Sequence, residues 1–389
     1  MQLPALNTEQ LAQLAITEQV IKNAIAQAGG RIPFDRFMEL ALYAPGAGYY
    51  VNGKRKLGAQ GDFVTAPEIS AVFSQCLAAQ CAQVLAALGD ADVLEFGAGS
   101  GVMAADMLLQ LERMDSLPRR YLILELSPDL QVLQRETLAL HAPHLLTRVS
   151  WLDRLPEKDW SGVVVANELL DAMPVHRFRA GAGGYLELFV ELKDEVFVES
   201  WGSVQSPALS DALNDLETRR GSFEDGYSSE VNLRLLPWLQ AVANSMQQGA
   251  VILADYGYAE REYYHPERVN GTLICHYQHK AFDAPLKLSG LQDITANVDF
   301  TAVARAALEV GFELAGYTSQ THFLIDTGLD ECVSAADQSD VAAFMQLVQG
   351  VKVLTLPSEM GERFKFIGLA KNLDLPLRGF TSRDMREYL

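Results

Sequence analysis

The stretch "VVVANELLDAMPVHRF", residues 163–178, leads three valines and an alanine straight into Asn167, Glu168 and, three places on, Asp171. An apolar run of that kind reads as a strand buried on both faces. Two carboxylates and an amide at its tip stand where the chain leaves the core, and they suit a cationic ligand. A guanidinium fits them well: its planar fork of N–H donors pairs bidentately with carboxylates, and it stays protonated at any ordinary pH. Its nitrogens become nucleophilic only when a lone pair is localised on one of them. Paired acids do this by orienting the group and drawing positive charge to the other nitrogens. The competing reading is that Glu168 and Asp171 cap the following helix. One residue can serve both purposes.

A second stretch, "VLEFGAGSGVMAADML" (93–108), reads as strand, glycine turn and helix. Gly97, Gly99 and Gly101 permit a left-handed backbone and close approach of a ligand to the main chain. Gly99, Gly101 and Ala104 also satisfy the dinucleotide pattern G-x-G-x-x-A, and Glu125 follows Gly101 by 24 residues, at the end of the next strand. On that motif NAD is admissible. A carboxylate at that strand end accepts hydrogen bonds from ribose hydroxyls in either cofactor. Glu95 shifts the balance. An acid just before the turn meets a cationic amino-acid moiety, directly or through water, and repels a pyrophosphate. S-adenosylmethionine, with an ammonium and a sulfonium, is therefore favoured over NAD. A tight turn that binds nothing is the bland alternative.

The segment "GAQGDFVTAPEIS" (58–70) places Asp62, Thr65 and Glu68 around a small apolar core. It reads either as a lid over the cofactor, with Glu68 facing the substrate, or as a brace whose Asp62 and Thr65 make turn hydrogen bonds. "CHYQH" (275–279) and the pair His141 and His144 lack a third or fourth ligand at metal-binding spacing, so no metal is expected. No G-x-S-x-G elbow or phosphate loop occurs. The tyrosines after residue 255 line a substrate channel or pack in the core.

Elements that position these groups follow from periodicity. Helices are expected over 8–28 and 68–88, with an ordered glycine-rich loop between them. From residue 91 strand-like runs at 92–97, 121–126, 146–151, 162–167 and 249–257 predict βαβ units and a mostly parallel sheet. Ligands of such a sheet sit beyond the carboxyl ends of its strands. Residues 181–202 alternate like an antiparallel hairpin, and a helical segment reaches about residue 246. An irregular segment covers 256–300. A helix (299–310), a strand (312–318), a helix near 336–350 and a final strand (364–371) complete the chain. The division is an N-terminal helical and loop extension (1–90), a nucleotide-binding core (91–178 and 247–389), and an inserted subdomain (179–246).

At 389 residues, 49% hydrophobic and 21% charged, the chain can bury a sizeable core. A formal charge of −19 excludes a nucleic-acid groove and suits a basic partner. The apolar runs are strand-sized, so no membrane insertion is expected. The N-terminus shows neither a signal peptide nor an Arg-rich leader. Cys76, Cys81, Cys275 and Cys332 are scattered, which points to a reduced, cytoplasmic location.

The motifs "YAPGAGYY", "GDFVTAPEIS", "EFGAGSG", "NELLDAMPVHRF", "ADYGY" and "MGERFKFIGLAK", in this order, resemble the MidA-like family of S-adenosylmethionine-dependent methyltransferases. The resemblance spans roughly residues 34–371. It implies an α/β, Rossmann-like class I methyltransferase fold with an N-terminal extension and an inserted substrate-binding subdomain. It implies S-adenosylmethionine as cofactor, with Glu95, Gly97, Ala98, Gly99 and Gly101 lining its pocket and Glu125 and Leu126 at its nucleoside. Gly61, Asp62, Phe63 and Thr65 would close over the site. Asn167, Glu168 and Asp171, with Glu68, would stand at the methyl-transfer face. The family's mitochondrial members are regarded as making symmetric dimethylarginine on a core complex I subunit, so the implied partner is a protein substrate of the respiratory complex I type. A binding-only assembly factor and an NAD-dependent oxidoreductase are the alternatives, and the oligomeric state is open.

Overall fold

The computed structural model describes residues 6–52 and 64–389. Seven strands make the central sheet: β1 (Asp92–Phe96), β2 (Tyr121–Leu124), β3 (Val149–Leu152), β4 (Trp160–Asn167), β5 (Met246–Tyr258), β6 (Glu313–Ser319) and β7 (Phe364–Lys371). Hydrogen bonding orders them β6-β7-β5-β4-β1-β2-β3, and Val298–Asp299 adds a two-residue strand at the end of β5. The strands β1 to β5 run parallel, and β7 lies antiparallel between β5 and β6. This is the class I methyltransferase arrangement. The strand order reverses between β1 and β4, so the carboxyl ends of those two strands flank a crevice.

The valines of β4 explain why it sits at the centre. Val163 and Val165 join one apolar cluster, Val164 the other, so both faces are buried, as the unbroken run requires. Helices cover both faces. In chain order the first eight are α1 (Thr8–Gln27), α2 (Phe34–Tyr43), α3 (Ala66–Ile69), α4 (Ala71–Leu88), α5 (Val102–Arg113), α6 (Pro128–His141), α7 (Pro207–Arg220) and α8 (Leu235–Ser245). The helix expected over 68–88 is thus two pieces. Ser70 breaks it with an extended backbone and caps α4 through its Oγ, which accepts the Val72 N–H. By length and composition α4 could cross a membrane, yet most of it is buried against the sheet.

The hairpin expected over 181–202 is part of a larger sheet. His176–Gly181, Gly184–Lys193, Val196–Ser203 and Ser228–Val231 are joined by Arg31–Pro33 from the N-terminal extension. Extension and insertion therefore form one layer, sealed by Phe34, Phe37, Leu188 and Val190. The inserted layer begins at His176, and α8 returns to the core, where Leu235, Leu239 and Val242 pack with Leu94 and Val164. The segment expected to be irregular holds a three-stranded sheet, Ile274–Tyr277, Lys280–Phe282 and Asp293–Thr295. Its strands are too short to show periodicity.

Candidate active site

Strand β1 ends in the glycine turn, and Gly97, Gly99 and Gly101 all take positive φ, at 63°, 54° and 85°. Gly101 is required for a second reason: a Cβ there would lie 3.0 Å from the Cα of Gln134 on α6. Gln134 ties the turn together. Its Nε2 donates to the Gly99 carbonyl (3.1 Å) and to Glu125 Oε2 (3.1 Å), and its Oε1 accepts from Trp151 Nε1 (2.9 Å). A buried glutamine in mid-helix leaves no local signal, and sequence reasoning missed it. Glu125 sits just beyond β2, with Oε1 accepting the Ser127 N–H at 2.9 Å. Burial raises its pKa, while these hydrogen bonds oppose the rise.

Glu95 lies on β1 with no solvent exposure. Its Oε2 accepts from the Tyr121 hydroxyl at 2.6 Å, and its Oε1 has no hydrogen-bond partner. Burial pushes its pKa up to about 7, against the Tyr121 hydrogen bond, and the Glu125 charge adds to the rise. A buried carboxylate without a cation is costly unless a ligand compensates it.

At the tip of β4, Glu168 has φ 50°, a left-handed conformation that costs an L-residue roughly 1–2 kcal/mol. Its N–H still reaches the Ala254 carbonyl of β5 (2.9 Å), so the ladder continues while the chain turns. Its Oε1 accepts from Asn167 Nδ2 at 3.1 Å. Burial raises the Glu168 pKa to about 8; the nearby Asp171 charge adds to this, while Asn167 and the Ala66 N–H at the start of α3 oppose it. Asp255, fully buried on β5, fixes the turn by accepting the N–H groups of Leu170 (2.9 Å) and Asp171 (3.3 Å).

A cavity of about 520 Å³ runs along the carboxyl ends of β2, β1 and β4. It joins Glu95, Gly97, Ala98, Gly99, Glu125, Leu126, Thr65, Glu68, Asn167 and Glu168 in one wall. Leu126 is 69% exposed at the rim. Two expectations change. Asp171 was expected beside the acceptor, yet it is not among the lining residues; its Oδ2 accepts from the Tyr256 hydroxyl at 2.7 Å, behind the turn. The left-handed Glu168 and the Asp255 bonds rotate it inward, and burial pushes its pKa up to about 6. Glu68, expected to face the substrate or to belong to a brace, lines the cavity, and its carboxylate accepts from Ser100 Oγ in the glycine turn. Gly101 caps α5 beneath the turn instead of lining the cavity. Gly61, Asp62 and Phe63 lie outside the described residues. Glu39 and Tyr43 on α2, Tyr50, Arg234 and Trp238 complete the wall and were not singled out in the sequence.

The donor set fits a cationic nucleoside. Glu39, Glu68, Glu95, Glu125 and Glu168 face the cavity, and Arg234 is the single Lys or Arg among its described lining residues. A sulfonium and an ammonium are stabilised there, whereas a pyrophosphate would be repelled. The Glu95 Oε1 left without a hydrogen-bond partner among the described residues would suit the ammonium, and the Glu125 carboxylate the ribose hydroxyls.

Comparison with known proteins agrees. Residues 76–318 match a family model described as an S-adenosyl-L-methionine-dependent methyltransferase. A crystal structure of a superfamily member from Burkholderia thailandensis, bound to S-adenosyl-homocysteine, is 40% identical, with a TM-score of 0.94 over 100% of both chains. "Protein arginine methyltransferase NDUFAF7, mitochondrial" from Mus musculus is 30% identical over 87% of this chain and 81% of its own. The Danio rerio protein of the same name is 27% identical over 96% of this chain and 94% of its own. These names correct one expectation: scattered cysteines suggested a cytoplasmic location, and the curated relatives are mitochondrial. Unpaired cysteines mark a reducing environment, which is not unique to the cytoplasm.

Proposed function

The chain belongs to this family of S-adenosyl-L-methionine-dependent methyltransferases, and we propose that its acceptor is an arginine guanidinium of a protein. The observation that supports the reading is Glu168: a half-buried carboxylate lining the cavity at the tip of β4, bonded to an amide and a backbone N–H but to no cation among the described residues. The relatives named protein arginine methyltransferases support it independently. The fuller reading, that the acceptor protein is a subunit of the respiratory complex I type, rests on the family resemblance.

When bound, the cofactor supplies an electrophilic methyl group on sulfonium. Everything else falls to positioning and charge. Glu168 accepts the guanidinium fork and draws positive charge away from the attacking nitrogen. Asn167 donates to Glu168 and fixes its rotamer. Asp255 holds the turn, and Asp171 with Tyr256 supports it from behind. Methylating a guanidinium releases one proton. Glu168, whose pKa stands near 8, is the group placed to hold it. Tyr43, which donates to the Ala172 carbonyl at 2.9 Å, and Tyr50 wall the acceptor side.

The test is Glu168→Gln, assayed for S-adenosyl-homocysteine binding and for transfer of isotopically labelled methyl groups into a cell extract. Retained binding with abolished transfer supports the role, and normal turnover refutes it. Label found by mass spectrometry on lysine or carboxylates, and not on arginine, would refute the acceptor.

A further inference from the structure

Arg234 stands at the amino end of α8, its N–H held by Asn232 Oδ1 at 2.9 Å. Trp238 lies one helical turn on, on the same side of α8, and its ring meets that of Phe96 with centroids 5.4 Å apart. Phe96 is the residue between Glu95 and Gly97. Arg234 is thereby placed near the glycine turn, in the wall of the same cavity. Its guanidinium is steered by Glu39 Oε1 at 3.3 Å and Asp35 Oδ2 at 3.5 Å. Both distances exceed those of tight charge-assisted hydrogen bonds. The Nε is buried and has no hydrogen-bond partner among the described residues. Two acids hold this cation in place without saturating its five donors.

The cofactor of this enzyme carries one anionic group, the carboxylate of its amino-acid end. Five glutamates face the cavity, so most of the wall repels that group, and among the described residues only Arg234 attracts it. We propose that Arg234 receives the carboxylate of the cofactor's amino-acid end and sets the discrimination against adenosine thioethers that lack that end. The inference rests on reading the cavity as the cofactor site. Glu95 and Arg234 then read the two charges of one zwitterion. Arg234 is a binding residue for the cofactor, not a participant in methyl transfer.

Calorimetric titration tests this with two probes: S-adenosyl-homocysteine, and 5′-methylthioadenosine, which shares the adenosine and the thioether but has no amino-acid end. Arg234→Gln is expected to weaken S-adenosyl-homocysteine by roughly 10- to 100-fold and to change methylthioadenosine by less than about threefold. Arg234→Lys keeps the charge without the fork; its loss, confined to S-adenosyl-homocysteine, should be smaller, and it supplies the same ratio if the glutamine variant does not fold. Equal weakening of both probes would mean that Arg234 merely clamps α8 to α2, and the proposal would fall. Unchanged S-adenosyl-homocysteine affinity would overturn it as well. If the wild type bound neither probe, the cofactor-site reading itself would be wrong.

Discussion

Asp92 and Glu95 stand three residues apart on β1, both without solvent exposure, and the chain treats them in opposite ways. At the amino end of the strand, Asp92 accepts from Arg119 Nε and Nη2 (2.9 and 2.8 Å) and from Arg120 Nη2 (2.7 Å). Burial alone would raise its pKa, but the two arginines outweigh burial and hold it below the ordinary carboxylate value. At the carboxyl end, Glu95 receives a tyrosine hydroxyl and no cation, and its pKa rises to about 7. The amino end is neutralised within the chain and serves stability. The carboxyl end meets no cation among the described residues, and on the reading proposed above its compensating charge comes with ligands. β4 repeats the pattern, with Glu168 at its carboxyl tip raised to about 8.

The sharpest way to break this contrast is Glu168→Gln. Removing an acid that serves a ligand should cost transfer roughly 100- to 1,000-fold, or about 3–4 kcal/mol, while leaving S-adenosyl-homocysteine affinity nearly unchanged and, because the folded pKa near 8 lies above the unfolded value, raising the unfolding midpoint at pH 7 instead of lowering it. A large loss of stability would place Glu168 with the structural acids. Next comes Glu95→Gln. The folded pKa near 7 lies above the unfolded value of about 4.3, so the native state keeps a proton that the unfolded chain loses. Wild-type stability therefore falls as pH rises from about 4 to about 7 and then levels off. The glutamine variant should lack that slope, unfolding about 2–3 kcal/mol harder than wild type at pH 8 and equally at pH 4 in denaturant titrations.

Asp92→Asn should behave with the opposite sign. The folded pKa is depressed, so its contribution is present above the unfolded value and disappears as pH falls through the folded one. A destabilisation of about 1–2 kcal/mol at pH 7 is expected, modest because both arginines are nearly half exposed and can return to water. Cofactor affinity should not change. The smallest effect is at the rim. Leu126→Ala should weaken S-adenosyl-homocysteine by only about three- to tenfold through lost apolar contact, and leave stability within about 0.5 kcal/mol, as an exposed side chain would.

The longest periodic segments and the glycine turn were legible in the sequence. The valine run, the glycine turn and the final strand at 364–371 appear where periodicity puts them, and Glu95, Glu125 and Glu168 were found because each follows or precedes such a segment. What reaches the site from another element was not legible. Gln134 arrives from α6, and Arg234 and Trp238 from α8; none carries a local signature. Asp171 shows a different limit. Its residue type pointed to ligand binding, but direction is set by backbone torsions: the left-handed Glu168 turns Asp171 inward.

The claim that the uncompensated acids belong to ligands is tested most directly by proton release. S-adenosyl-homocysteine would be titrated calorimetrically at pH 7 in buffers of different ionisation enthalpy. An ammonium seated against Glu95 forces that carboxyl to ionise, so wild type should release roughly half a proton per site at pH 7, and Glu95→Gln none. Binding without proton release in the wild type, or the same release in both proteins, would contradict the account.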